Sequence, residues 1–459
     1  LVEKDAAIMI TDDKSREELV DSMLALVKNE EQLNSLRNNI TSFACPSAAE
    51  QIAIEVFKTI GITDPAILSN RKSTKPEPKK AKKKQSNKRY FFLGIGGIGM
   101  SAIARYFHKQ GHLVAGYDLT KTPLTEKLEE EGINIHYKDN ISLVPVKFMD
   151  RDKTVVIYTP AVPDDMSEKV FFKEGNFTML KRSEILGELT DSKKALCVAG
   201  THGKTTTSTL LSHILNQRAE RVNAFLGGIS KNYESNLIVS SCDQVVVEAD
   251  EYDRSFLRLK PNMAIVTATD ADHLDIYGTK EELLRTFSEF TSLIEENGVL
   301  IMKKGIEMVP NTKESVKVYT YSSTEKADFY AENIVIENGE LYFDFVGVKG
   351  RIEKVQLGVP IMINVENAVA AMAIAQLNGM TDTTIKKAVQ TFKGSMRRFD
   401  IRVKNEKVVY IDDYAHHPEE IKACVESIRA LYPDKRICGI FQPHLYSRTK
   451  DFYEEFAES

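Results

Sequence analysis

The chain has 459 residues, 42% of them apolar and 28% charged, the composition of a globular protein long enough for about three domains with a core each. Its net charge of -5 gives no global reason for nucleic-acid binding, and no apolar run approaches the ~20 residues of a membrane helix or follows the pattern of a secretory signal, so the cytoplasm is the expected location. Five scattered cysteines without a Cys-x-x-Cys pair give no sign of a disulfide framework or a zinc knuckle.

Residues 1–65 open on a strand-like run, Ala6 to Ile10, and then carry three helical patterns. Ser15 with Glu18 forms a capping box ahead of Leu19, Val20, Met23, Leu24 and Val27; Leu33, Leu36, Ile40 and Phe43 share the face of a second helix. A third opens at Pro46-Ser47 and stops at Gly61. No chemistry is visible there. Residues 66–89 read as a linker: between Arg71 and Arg89 stand ten Lys or Arg and one acid, too little apolar surface to offset the entropy of ordering. The sharper alternative is a basic tether to an anionic membrane face or to RNA.

Residues 90–190 alternate strand and helix. A strand, Tyr90 to Leu93, precedes Gly94-Ile95-Gly96-Gly97-Ile98-Gly99-Met100-Ser101, then a helix through Ala104 and Phe107, then a strand, Val114 to Tyr117, ending in Asp118. That is G-x-G-x-x-G in a βαβ frame, with an acid 24 residues after the first glycine. By itself the motif allows a nucleotide diphosphate on the helix N-terminus without distinguishing NAD, FAD or a UDP-sugar. Further strands are expected at Thr154 to Tyr158 and Thr178 to Leu180.

The segment 191–398 holds the most informative stretch, Gly200-Thr201-His202-Gly203-Lys204-Thr205-Thr206, between an apolar strand, Ala195 to Ala199, and a helix, Thr206 to Leu215. Glycines let such a turn close around an anion, the helix N-terminus faces it with free N–H groups, Lys204 reaches the outer phosphates and a hydroxyl can ligate Mg2+. The bland alternative is a glycine-rich turn with an incidental lysine. The glycines are three apart where the common P-loop has five. A strand at Gln244 to Val247 delivers Glu248-Ala249-Asp250-Glu251, and one at Met263 to Thr267 delivers Asp270, Asp272 and His273. Carboxylates at two strand ends beside a P-loop suit a Mg-nucleotide; singly, each also reads as a solvated acidic loop. Val316 to Val348 predicts antiparallel hairpins with turns at Asn338-Gly339 and Gly347, and Asn364 to Leu377 an Ala-rich helix with Asn364, Asn367 and Ala371 roughly on one face.

In 399–459 a strand, Val408 to Ile411, leads to Asp413-Tyr414-Ala415-His416-His417-Pro418 and a helix from Glu419 to Ala430. A second strand, Ile437 to Phe441, leads to Gln442-Pro443-His444 and Tyr446-Ser447-Arg448, and a last helix spans Thr449 to Glu458. This predicts a further doubly wound unit with two strands. The chain starts at Leu1 and stops inside that helix, so both ends look cut.

From about residue 90 to the end, these motifs, in this order and with Arg397-Arg398-Phe399 between them, resemble the Mur ligases of peptidoglycan precursor synthesis. The glycine loop is more similar to the alanine-adding branch than to the branch that recycles murein tripeptide. The resemblance implies an α/β enzyme of three domains: a Rossmann-like UDP-sugar domain (90–190), a P-loop ATPase domain (191–398) and a truncated Rossmann-like C-terminal domain (399–459). It implies ATP-dependent joining of L-alanine to the lactyl carboxylate of UDP-N-acetylmuramate through an acyl phosphate. In that scheme Lys204 holds phosphates, Thr205 and Glu248 ligate one Mg2+, and His273 a second. Arg397 or Arg398 stabilises transferred charge, and Asn364 and Asn367 lie near adenine. Gly94, Gly96, Gly97, Ile98, Gly99, Met100, Ser101 and Asp118 serve the UDP-sugar, and His416, His417, His444 and Arg448 belong to the amino-acid domain. Thr267-Ala268-Thr269-Asp270 departs from the family's Thr-Asn-Ile-Glu-type pattern, leaving the asparagine's role unassigned. With two strands the third domain falls short of a closed core, so the 459-residue chain is expected to be inactive or nearly so and the full-length gene product active.

Residues 1–65 resemble the C-terminal tail of the glycosyltransferase that adds N-acetylglucosamine to the lipid-linked muramyl precursor, implying a fusion of, or proximity between, two enzymes of one pathway, or else an artefact of gene calling across neighbours. The competing class is an NAD(P)-dependent oxidoreductase built on Gly94 to Gly99, which leaves the P-loop, Glu248 and His273 without a task. A non-enzymatic nucleotide-binding scaffold is the remaining alternative.

Overall fold

The computed structural model describes residues 29, 31, 32, 35, 88–271, 274–337, 339–443, 449 and 453–459. But for the few positions among these, the predicted elements of 1–65 and the basic linker of 66–89 lie outside the described residues, as do Asp272, His273, His444 and Arg448.

The first sheet is parallel, in the order β3-β2-β1-β4-β5: β1 Arg89–Leu93, β2 Leu113–Tyr117, β3 Asn134–His136, β4 Thr154–Tyr158 and β5 Thr178–Lys181. Alternate side chains sort to its two faces, as the period of a strand dictates. Phe91, Leu93, Ala115 and Val156 pack with Phe172 of one helix layer, and Tyr90, Phe92, Val114 and Ile157 with Ile103 and Phe107 of the other. Helices α1 (Ile98–Lys109), α2 (Pro123–Glu130), α3 (Ser167–Glu174) and α4 (Arg182–Asp191) complete this unit. β1 lies between β2 and β4, so the glycine loop after β1 opens at the point where strand order reverses, the usual ligand crevice of such sheets.

The second sheet has ten strands, in the order β15-β14-β13-β12-β11-β10-β6-β9-β7-β8. They are β6 Lys194–Ala199, β7 Asn223–Ser230, β8 Ser235–Ile238, β9 Gln244–Glu248, β10 Pro261–Val266, β11 Val299–Lys303, β12 Lys317–Ser322, β13 Phe329–Glu337, β14 Glu340–Gly347 and β15 Gly350–Leu357. From β7 to β13 the pairs are parallel; β8, β14 and β15 join antiparallel, the last two as the predicted hairpins. Among the described residues the α-helices of this stretch are α5 (Lys204–Leu215), α6 (Leu274–Tyr277), α7 (Lys280–Ser292), α8 (Met362–Leu377) and α9 (Asp382–Thr391). α5 starts two residues before the predicted Thr206, because left-handed Gly203 serves as its N-cap. α8 is buried almost all round, and its alanines allow close packing on Leu210, Leu211 and Ile214 of α5.

The last part differs from expectation. β16 (Asp400–Lys404) and β17 (Val409–Asp412) form an antiparallel pair, followed by α10 (Pro418–Leu431) and α11 (Tyr453–Glu458). The predicted strand Ile437 to Phe441 has no strand geometry, and Ile440 is fully exposed. A parallel strand exists only against a neighbour, and among the described residues none lies beside it.

Candidate active site

Three neighbouring parallel strands, β9, β6 and β10, end together, and the loop after the middle one carries the Gly200–Lys204 motif. Gly200 and Gly203 take φ of +132° and +80°, and a Cβ at Gly203 would lie 2.6 Å from Asn367 Oδ1, so both bends call for glycine. No side chain caps α5, which leaves its first N–H groups open to an anion. Lys204 is folded back on the loop, donating to Gly200 O at 2.6 Å, Thr201 O at 3.2 Å and Glu251 Oε1 at 2.8 Å. Burial pulls its pKa down, but Glu251, Asp250 and Glu248 outweigh that and hold it above the ordinary value, so the lysine stays charged.

Glu248, at the end of β9, accepts from Thr205 Oγ1 at 3.0 Å, from the Gly227 N–H at 3.0 Å and from Ser208 Oγ at 3.4 Å. A Cβ at Gly227 would sit 2.3 Å from its Oε1, so the carboxylate rests in a cradle only glycine leaves open. Burial raises its pKa against the opposing charge of Lys204. A paired hydroxyl and carboxylate is the all-oxygen donor set that a hard dication takes, so Thr205 and Glu248 fit Mg2+. Among the described residues no group of three side chains forms a metal site, and His273 lies outside them.

Asn367 accepts from Thr207 Oγ1 at 3.1 Å and donates to Asn364 Oδ1 at 3.1 Å, tying α8 to α5 beside the loop. A cavity of about 390 Å3 runs from Thr201–Thr206 and Glu248 past these asparagines to Arg398, Asp413, His416, His417 and Glu420. Arg397 does not line it; its guanidinium lies over the Tyr414 ring at 4.7 Å, with that of Arg398 at 5.3 Å. Across the cavity His202 Nδ1 faces Glu420 Oε1 at 3.5 Å, and His416 Nδ1 lies 3.1 Å from the other Glu420 oxygen. Burial alone would raise the Glu420 pKa, but hydrogen bonds from His202 and His416 hold it well below the usual carboxylate range. From sequence Glu251 counts only as one of the strand-end acids, with no contact to Lys204 foreseen, and Glu420 carries no functional reading. The only signals were the fourth place in Glu-Ala-Asp-Glu and the i,i+4 spacing from His416.

On the first sheet, the Gly96 N–H donates to Asp118 Oδ2 at 2.7 Å and the Thr120 N–H to Oδ1 at 3.1 Å, so Asp118 braces the glycine loop itself. Gly94 takes φ of +82° and Gly97 caps α1, whose first turn begins with Ile98 and Gly99. Met100 and Ser101 turn their side chains into the core, so any ligand contact of theirs would be made by backbone.

Models of a Mur ligase family catalytic domain, a Mur ligase middle domain and a Mur ligase glutamate ligase domain match residues 89–194, 198–375 and 397–459. A UDP-N-acetylmuramate–L-alanine ligase of Phocaeicola vulgatus is 56% identical over 373 residues, 81% of each chain. The chain belongs to the Mur ligase family. An enzyme of the same description from Christiangramia forsetii is 47% identical, again over 81% of each chain. Among solved structures this Mur ligase resembles the UDP-N-acetylmuramate-alanine ligase of Thermotoga maritima, with a TM-score of 0.70, 27% identity and coverage of 81% and 88% of the two chains. It shares the fold of a murein peptide ligase of Psychrobacter arcticus at 22% identity and a TM-score of 0.62, over 78% and 79% of the chains. The Mur ligase is thus an α/β enzyme of the three-domain Mur type. No helix among its described residues is long and apolar enough to cross a membrane.

Proposed function

We propose that this Mur ligase joins L-alanine to the lactyl carboxylate of UDP-N-acetylmuramate in the cytoplasm, converting ATP to ADP and phosphate. The observation that carries the proposal is the cavity with Lys204, Thr205 and Glu248 at one end and the His416–Glu420 wall at the other. It has room for a nucleotide between a phosphate loop and a second body that can bring a nucleophile. A lactyl oxygen attacks the γ-phosphorus and ADP leaves with the electrons of the broken P–O bond. The alanine amine then attacks the acyl carbon, loses a proton, and phosphate departs with the electrons of the C–O bond. Such transfer rests on positioning and charge neutralisation more than on covalent help.

In this assignment residues 90–190 hold the UDP-sugar on the Gly94–Gly99 loop, 191–398 hold ATP, and 399–459 bring the amino acid with His416 and His417. Lys204 neutralises the outer phosphates; Thr205 and Glu248 would hold Mg2+, which when bound offsets phosphate charge, and His273 is proposed for a second ion. Arg398, already on the cavity wall, is favoured over Arg397 for charge on the transferred group. The alanine-adding reading is preferred to murein-peptide recycling because relatives at 47–56% identity are alanine ligases, whereas the recycling enzymes share the fold at 21–22%.

Phosphate release by the intact gene product, with UDP-N-acetylmuramate, ATP and either L-alanine, glycine, L-serine or murein tripeptide, tests the proposal. L-Alanine should drive release most strongly. Release that needs the tripeptide, or NADH binding as tight as UDP-sugar binding, would sink it.

A further inference from the structure

The two proposed nucleotide sites stand on different sheets, and one hairpin touches both. β7 and β8 pair Ala224 with Ile238, Phe225 with Leu237 and Ser230 with Ser235, leaving an irregular stretch, 226–229, in between. From that stretch the Gly227 N–H donates to Glu248 at 3.0 Å, and Gly228 lies so near Thr205 that a Cβ would come within 3.0 Å of its methyl group. On β8, fully buried Asn236 reaches the first sheet's helix. Its Nδ2 donates to Ile98 O at 2.5 Å and Ser101 Oγ at 2.9 Å, and its Oδ1 accepts from Arg105 Nη1 at 2.7 Å. Arg105, 2% exposed, is held in turn by both carboxylate oxygens of Glu131 at 2.9 Å. The same hairpin also fastens the chain before β16: the Met396 N–H donates to Ile229 O at 2.9 Å, and the Lys231 N–H to Gly394 O at 3.0 Å.

Stability alone does not account for this network. An ion pair with one partner open to solvent, as Glu131 is at 30% exposure, adds little stability, and Arg105 Nη2 is left without a partner. What the network fixes is register: the amide of Asn236 meets the first turn of α1, immediately after the glycine loop, and no apolar side chain would choose that turn over the next. We propose that Asn236 is a positioning residue for the ligase reaction. It locks the UDP-sugar loop to the hairpin that cradles Glu248, and so sets the separation between the sugar's carboxylate and the γ-phosphate. This rests on the ligase function proposed above.

The test uses Asn236→Ala, and Asn236→Asp in case the first fails to fold, since aspartate keeps the volume and the acceptor for Arg105. Affinities for UDP-N-acetylmuramate and for ADP are measured separately by calorimetry, phosphate release with L-alanine in the steady state, and amide exchange over 98–105. Each affinity should stay within about threefold while kcat falls about tenfold to a hundredfold, the scale of a misplacement near 1 Å. Exchange in the first turn of α1 should quicken. Ser101→Ala, which removes one of two acceptors, should lower kcat less. An unchanged kcat overturns the proposal, and so does a parallel loss of both affinities, kcat and thermal stability, which marks a merely structural contact. An unaltered enzyme that releases no phosphate with L-alanine removes the ligase function and this proposal with it; a difference confined to the variants bears on Asn236 alone.

Discussion

The ammonium of Lys204 stands 2.8 Å from a carboxylate oxygen of Glu251, a side chain with no exposure to solvent. Two loop carbonyls take its other protons, so all three donors are committed and a phosphate gains Lys204 only by exchange. Lys204→Met should therefore do two things. It should lower phosphate release by about 10²–10³-fold, as loss of a preorganised charge does. It should also cost about 3–5 kcal/mol of stability, because Glu251 is left buried and uncompensated. Lys204→Met with Glu251→Gln should recover most of the stability and none of the activity, read by thermal denaturation beside phosphate release.

Gly227→Ala places a methyl group 2.3–2.4 Å from the carboxyl atoms of Glu248. The carboxylate must move, and the apparent affinity for Mg2+ should fall about 10–100-fold, the usual effect of disturbing what orients a ligand. ADP binding without the metal should change little. A Mg2+ titration of phosphate release, paired with metal-free calorimetry, checks both.

His213 lies between Tyr233 Oη at 3.1 Å and Thr391 Oγ1 at 3.0 Å, and burial pushes its pKa down to about 4. The unfolded chain, with a histidine near 6.5, binds the proton first as pH falls, so the folded state is disfavoured from about pH 6.5 down to about 4. Above that window the effect is absent. Across it the loss should reach about 2–3 kcal/mol. Urea unfolding of the wild type and His213→Gln at several pH values should show the two curves parallel above pH ~6.5 and diverging below it.

Asn367 satisfies Thr207 and Asn364 at once, both buried. Asn367→Leu strands a hydroxyl and a carbonyl and should cost about 1–3 kcal/mol for each group left unmet. KM for ATP should rise more than kcat falls if the pair faces adenine, and equal effects on both would point away from nucleotide contact.

The sequence exposed those parts of the site that are local. Strand, glycine turn and helix at Ala195 to Leu215 are adjacent in the chain, and small residues with a lysine have few other uses in that order. Most helix and strand ends differ from the expected ones by only one or two residues, since caps such as Gly203 decide them. Relations made by folding were not legible. Glu420 becomes part of the cavity because α10 presents it to His202, more than two hundred residues earlier, and no periodicity announces that. Asn236 belongs to no motif, and it acquires its place only where β8 meets α1. The strand predicted at Ile437 failed for the same reason in reverse: its pattern was right for a sheet, but pairing depends on a neighbour and not on the segment itself.

The placement of β6 between β9 and β10 bears on which changes this protein can survive. Val198 pairs with Glu248 and Ala199 with Val266, so the distance from the phosphate loop to the oxygen donors beside it is a lattice spacing, about 4.8 Å per strand. Insertions in the connections that follow can lengthen or vary without altering it. A slip of β9 by a single residue would shift Glu248 by about 3.3 Å and turn it to the opposite face of the sheet. Tolerance and intolerance are thus divided by position in the ladder, and drift in this lineage should collect in the outer hairpins of β13 to β15 while the three central strands keep their length.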